Sequence, residues 1–183
     1  MRLVRAAEPE DAAAIAAIYD PLVRDGHASF EIDPPGPKEI ARRLVSGSRT
    51  YPWLVMTEGS ELVAYAYAGP HRARPGYRWS TETSIYVRSG WRRRGAGGEL
   101  YLHLLDQCRD WGYVSAYAGI ALPNPASERL HASIGFVPIG VFPRVGLKLG
   151  NWHDVSWWYL SLSDDPSPPV TSPGPPTIPE ADR

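Results

Sequence analysis

The chain of 183 residues holds a single cysteine, Cys108, so it cannot close an intrachain disulfide or build a cysteine metal cluster. Cys108 also falls on the apolar stripe of a helix, the setting of an inert buried thiol. Lysine is nearly missing. Lys38 and Lys148 are the only two, and arginine carries almost all the positive charge. With abundant Ala, Gly and Pro, that bias reads as genomic base composition rather than chemistry. Neither charge sign dominates: the formal net charge is −1, which gives no support for a nucleic-acid or membrane-surface partner. No apolar run reaches the ~20 residues of a membrane span. The N-terminus shows no apolar secretory core with a cleavage site, so a cytoplasmic protein is the expectation. His71, His103 and His153 lack metal-ligand company, and no metal site is expected.

What is present is a soluble globular balance, 21% charged and 43% hydrophobic, in a length that supports one domain with a real core. Leu3–Arg5 reads as a short strand. A helix then starts at Glu8-Pro9-Glu10-Asp11, with Ala12, Ile15, Ala16, Ile18, Tyr19 and Leu22 on its apolar face. A second helix is expected over 37–45. Trp53–Met56 and Leu62–Ala68 read as a hairpin, followed by a basic loop from Gly69 to Tyr77 and a strand ending near Val87. After Gly97, Leu100, Tyr101, Leu104, Leu105, Cys108 and Trp111 recur at helical spacing. Tyr113–Ala121 reads as a strand. Asn124 and Pro125 then suit the cap and first position of a helix that Gly135 closes. Phe136–Lys148 and Asp154–Leu160 read as two final strands separated by Gly150–His153. Seven of the last 21 residues are proline. The expected division is therefore a domain over 1–162 and a disordered Pro-rich tail over 163–183.

The most informative stretch is Trp91-Arg92-Arg93-Arg94-Gly95-Ala96-Gly97-Gly98-Glu99-Leu100. It is a basic, glycine-rich turn between a strand and a helix start. Amides there lack intrahelical partners, and the helix dipole adds about half a positive charge, so the turn suits a phosphate or pyrophosphate. The P-loop does not fit, because no Lys-Ser/Thr pair follows. The dinucleotide fingerprint does not fit either, because Leu100 stands where it needs Gly or Ala. Arg92-x-x-Gly95-x-Gly97 does match, and it resembles the acyl-CoA pyrophosphate loop of the GNAT N-acetyltransferase superfamily. A capped surface helix carrying an arginine run is the bland alternative.

The order of elements also resembles the GNAT fold, an α/β (α+β) architecture with a mixed, mostly antiparallel sheet flanked by helices. Tyr51–Val55, Ala66–Pro70, Tyr86-Val87, Leu122–Asn124, Leu130-His131 and Gly150–Val155 are similar to the phosphinothricin and methionine sulfoximine acetyltransferase subgroup. The resemblance implies acetyl transfer from acetyl-CoA to the amine of a glutamate- or methionine-like analogue. It also implies direct attack in a ternary complex and a homodimer. Two rivals remain: the same fold with another small amine, such as a natural amino acid or a polyamine, and a CoA-binding sensor without turnover.

By the same resemblance, Glu82 is the base that takes the amine proton. The alternative is an outward-facing strand glutamate. Ile85, Tyr86 and Val87 offer main-chain groups to the pantetheine arm. Arg92, Arg93, Arg94, Gly95, Ala96, Gly97 and Gly98 surround the pyrophosphate. Asn124 has two readings, helix cap and cofactor contact. His131 stands where many GNAT enzymes carry a tyrosine that protonates the leaving thiolate; it acts as the acid or only hydrogen-bonds. Arg72, Ala73, Arg74 and Tyr77 form a loop suited to an anionic acceptor. Phe30, Thr83 and Ser84 complete the expected acceptor pocket.

Overall fold

The computed structural model describes residues 1–165 and 167–175. Seven strands form one sheet: β1 (Arg2–Ala6), β2 (Trp53–Glu58), β3 (Glu61–Pro70), β4 (Ser80–Val87), β5 (Ser115–Ala121), β6 (Val137–Lys148) and β7 (Asn151–Ser161). Their order is β1-β2-β3-β4-β5-β7-β6, and only β4 and β5 run parallel. Helices α1 (Ala12–Asp25) and α2 (Gly36–Gly47) lie between β1 and β2. Helix α3 (Ala96–Asp110) joins β4 to β5, and α4 (Pro125–Ile134) joins β5 to β6.

The sheet is buried on both faces at its centre, and period-2 alternation sorts its side chains. Leu54, Met56, Ala64, Ala66 and Ala68 pack with Leu100, Tyr101, Leu104, Leu105 and Cys108 of α3. Small alanines on β3 let the bulky face of α3 settle close to the sheet. On the opposite face, Trp53, Val55 and Tyr65 pack with Ile15, Tyr19 and Val23 of α1 and with Ile40 and Leu44 of α2. Val23 is fully buried, whereas Leu22, expected in the core, is only half-buried. The angular step of one residue turns Leu22 out of the packed stripe.

Two sequence boundaries shift. Helix α3 opens at Ala96, because Gly95 caps it with φ +82°, a left-handed conformation open to glycine. The residues Asn151–His153, expected in a loop, belong to β7. Leu149 and Gly150 both hold positive φ, +49° and +76°, and pair Lys148 directly with Asn151 in a two-residue hairpin.

β4 and β5 pair only over Ser80–Glu82 and Ser115–Tyr117. Beyond that point β4 stays with β3, β5 stays with β7, and the sheet splits between them. Past Ser161, Trp79 Nε1 donates to the Thr171 carbonyl at 2.8 Å and the Gly174 amide donates to the Trp111 carbonyl at 2.9 Å. Residues 166 and 176–183 of the expected tail lie outside the described residues.

Candidate active site

The split opens into a cleft of about 1190 Å³. Thr83–Val87 of β4 and Ala118–Ala121 of β5 form its two lips. Ser89–Gly95, Gly97 and Gly98 close one end, and Asn124, Ser127, Leu130 and His131 form a wall. The structure therefore gathers Ile85, Tyr86, Val87, Arg92, Arg93, Arg94, Gly95, Gly97, Gly98 and Asn124 around one cavity, together with Thr83, Ser84 and His131. Ala96 is the exception. It is buried in the α3 core, so any contribution to the cavity comes from its amide.

Local backbone geometry explains the anion-binding end. Arg93 and Gly95 both have positive φ, +60° and +82°. The first α3 ladder bond runs from Glu99 N–H to the Gly95 carbonyl at 3.1 Å, so the amides of Ala96, Gly97 and Gly98 precede the ladder. At Gly97 a Cβ would stand 3.2 Å from Val87 Cγ2 and 3.7 Å from Leu130. Its absence lets the helix start sit against β4 and α4. Arg94 lies over Trp91, its guanidinium 5.0 Å from the ring centre. Arg2, a residue that sequence reasoning did not single out, donates to the Arg94 carbonyl at 2.6 Å and to Glu99 at 3.0 Å. It ties β1 to the turn, and no local motif signals it.

Asn124 caps α4: its side chain accepts from the Ser127 amide at 3.1 Å. The chain entering that cap is held by two stacked imidazoles, His27 and His153, 4.6 Å apart and nearly parallel. His27 donates to the Pro123 carbonyl and His153 to the Leu122 carbonyl.

Adjacent residues of β4 serve different faces of the sheet. Thr83 faces α3. Its Oγ1 is 2.6 Å from the Tyr101 hydroxyl, which is 3.1 Å from His131 Nε2. His131 Nδ1 lies 2.8 Å from the Ser127 carbonyl. A carbonyl only accepts, so the proton sits on Nδ1 and Nε2 is the acceptor. Tyr101 then donates to Nε2, and Thr83 donates to Tyr101. Burial pushes the His131 pKa down and the Tyr101 pKa up. Both groups are therefore held neutral, and the geometry at His131 is that of an aligned acceptor rather than an imidazolium.

Glu82 faces the other way. Its Oε1 accepts from His71 Nδ1 at 3.0 Å and from Arg72 Nη1 at 3.3 Å. Its side chain is 36% exposed. His131 thus lines the cleft, whereas Glu82, one residue before its β4 lip and on the other face of the sheet, is not among the lining residues. Arg72 also donates to the His71 carbonyl and lies over Trp157. Ala73, Arg74 and Tyr77 are exposed, and Tyr77 meets the His71 ring edge-on. Phe30 packs over Gly146, where any side chain would overlap its ring, and lies 6.3 Å from the His153 ring. Sequence reasoning missed His71, Tyr101, Tyr117 and Trp157 as site components. Tyr101 was hidden because its helical spacing explains it fully as core.

Among the described residues, no cluster of His, Cys, Asp and Glu could hold a metal ion, and no helix is long and apolar enough to cross a membrane. The acetyltransferase (GNAT) family matches residues 15–136. A phosphinothricin N-acetyltransferase of Streptomyces viridochromogenes is 36% identical over 91% of this chain and 90% of its own. An L-methionine sulfoximine/L-methionine sulfone acetyltransferase of Salmonella typhimurium is 34% identical over 90% and 97%. The crystal structure of a phosphinothricin acetyltransferase from Sinorhizobium meliloti in complex with AcCoA superposes with a TM-score of 0.86, at 30% identity over 98% and 97% of the two chains. The split sheet, its glycine turn and these relatives agree, and the chain belongs to the acetyltransferase (GNAT) family.

Proposed function

We propose that this chain is an acetyl-CoA-dependent N-acetyltransferase for the α-amine of phosphinothricin or a methionine sulfoximine- or sulfone-like amino-acid analogue. One observation carries the reading. The sheet splits immediately after the Glu82–Tyr117 pair, so Glu82 is the last paired residue of β4 before the cleft that runs to the glycine turn.

The residues of the cleft fit acetyl-CoA. Amides at the start of α3 suit its diphosphate, and the unpaired lip of β4 beyond Glu82 suits an extended arm carrying amide groups. The bound cofactor supplies the activated acetyl group. With acetyl-CoA bound, Glu82 would take one proton from the acceptor's ammonium, and the second proton that the nitrogen sheds on becoming an amide would balance the charge of the thiol leaving group. Cys108 does not serve as an acetyl carrier: it is fully buried, and burial pushes its thiol up to about 12. Arg72 stands beside Glu82, and Arg74 is exposed on the same loop, where an acceptor carboxylate or phosphinate would meet guanidinium groups.

The test is thiol release from acetyl-CoA with phosphinothricin, methionine sulfoximine, methionine sulfone, natural amino acids and spermidine, ranked by kcat/KM. Preference for spermidine overturns the acceptor, and no release with any amine overturns the enzyme.

The same reading includes a homodimer in the cytoplasm. Strand β6 is at the sheet edge, and it exposes Val137, Ile139, Val141, Phe142, Val145 and Leu147 on both of its faces, each about half exposed or more. An uncovered apolar edge of that length fits a second copy of the chain. Val141→Glu is expected to lower the mass seen by light scattering from dimer to monomer.

A further inference from the structure

β3 ends at Pro70, and the chain turns His71 back across the sheet. The imidazole lies flat on Tyr117, ring centres 4.3 Å apart and planes 13° apart. It meets Trp157 and Tyr77 edge-on, each at 6.1 Å. Its side chain is only 14% exposed. Tyr117 is the partner of Glu82 in the last β4–β5 pair, so the stack fixes the His71 ring over the point where the sheet splits. Nδ1 is 3.0 Å from Glu82 Oε1. An ionised carboxylate only accepts, so Nδ1 carries the proton. Arg72 donates to the same oxygen. Among the described residues, Oε2 of Glu82 has no hydrogen-bond partner.

We propose that His71 is a positioning residue for Glu82: clamped between aromatic rings, it donates Nδ1–H to Oε1 and leaves Oε2 aimed for the acceptor's amine. A glutamate this exposed has three rotatable bonds, and an unrestrained carboxylate would spend little time in one pose. A largely covered imidazole held by stacking supplies a fixed donor, whereas Arg72, with a side chain 46% exposed, is free to follow an anionic acceptor. The two donors therefore divide the work: His71 sets the carboxylate, and Arg72 can exchange it for substrate. The catalytic part of this inference rests on the N-acetyltransferase reading; the hydrogen bond does not.

Two substitutions separate donor from ring. His71→Phe keeps a ring on Tyr117 and removes the donor. His71→Asn puts an amide N–H near the site of Nδ1 and removes the ring. The expected result is a kcat lowered roughly 10- to 100-fold by the phenylalanine, as for a displaced catalytic group. The KM for acetyl-CoA should stay within about 2-fold, and the asparagine should recover most of kcat. A packing role predicts the reverse order, and that order, or an unimpaired His71→Phe enzyme, overturns the proposal. Nitrogen-15 NMR of the unaltered protein gives a readout without turnover. His71 should be protonated at Nδ1, and Glu82→Ala should shift it toward the Nε2–H form. An Nε2–H imidazole in the unaltered protein sinks the proposal even if the enzyme is active. Nδ1–H with no acetylation of any amine leaves the clamp standing and removes the proposed function.

Discussion

Glu82 and Thr83 are chain neighbours on β4, yet they leave the sheet in opposite directions and enter different surroundings. Thr83 is buried and begins a hydroxyl–imidazole chain, Thr83 to Tyr101 to His131 to the Ser127 carbonyl, in which every link has a fixed donor and acceptor. Glu82 is partly open to water, and only one of its oxygens is engaged. Burial disfavours any change of charge on the first side, while the second keeps a carboxylate in contact with solvent. On the proposed function, the difference would put proton traffic on the Glu82 face and rigid support of the cleft wall on the His131 face.

The sharpest way to break this comparison is to remove each side in turn. Glu82→Gln should lower kcat about 10²- to 10⁴-fold, the range of a lost general base, while the acetyl-CoA Kd stays within about 2-fold. Steady-state kinetics paired with calorimetry reads both quantities. Equal losses in affinity and turnover would return Glu82 to a structural role. Next in size, Gly95→Val forces a branched residue into a left-handed backbone at the α3 cap. The strain of about 1–2 kcal/mol or more should raise the acetyl-CoA Kd by about 10-fold or more and leave acceptor preference intact.

Tyr101→Phe probes the buried side. It leaves His131 Nε2 without its donor, at a cost of about 1–3 kcal/mol in denaturant melts. The expected fall in kcat is under about 10-fold. A loss as large as that of Glu82→Gln would show that the buried chain moves protons after all.

The smallest effect is on pH dependence. Burial lowers the His131 pKa in the folded state, and the unfolded value is about 6.5. Below that value the unfolded chain binds more protons. The His131 contribution is therefore fully present above about pH 6.5 and is lost as pH falls toward the folded value. Denaturation series between pH 5 and 8 should show a shallower acid slope in His131→Gln. An unchanged slope would mean that the imidazole is charged in place.

Much of the fold is legible in local chemistry. The short apolar runs of β2 and β3 on either side of the Gly59 turn, the helical spacing from Leu100 to Cys108, and the Asn124-Pro125 cap each specify an element with no long-range information. The cofactor lip and the glycine turn are legible for the same reason: their residues are contiguous. The two relays are not. His71 reaches Glu82 across 11 positions, and Tyr101 reaches His131 across 30. Tyr101 looks like ordinary core because most of its ring is core, and only its hydroxyl bonds to Thr83 and His131. The β6–β7 turn was obscured because Leu149, not a usual turn residue, adopts φ +49°. Arg72 reads from sequence as a free anion receptor, whereas in the fold it is partly occupied by Glu82.

The three-residue seam between β4 and β5 has a thermodynamic corollary. Past it, among the described residues, the two parallel rows of peptide groups make no ladder pairs with each other, and the Thr83 hydroxyl reaches the Tyr117 carbonyl at 3.3 Å. A slender ligand threaded there would complete the ladder, becoming in effect an eighth strand that comes and goes with each turnover. Its departure leaves peptide groups to be rewetted, so the opening and closing of the sheet, as well as the chemistry, can govern how fast product leaves.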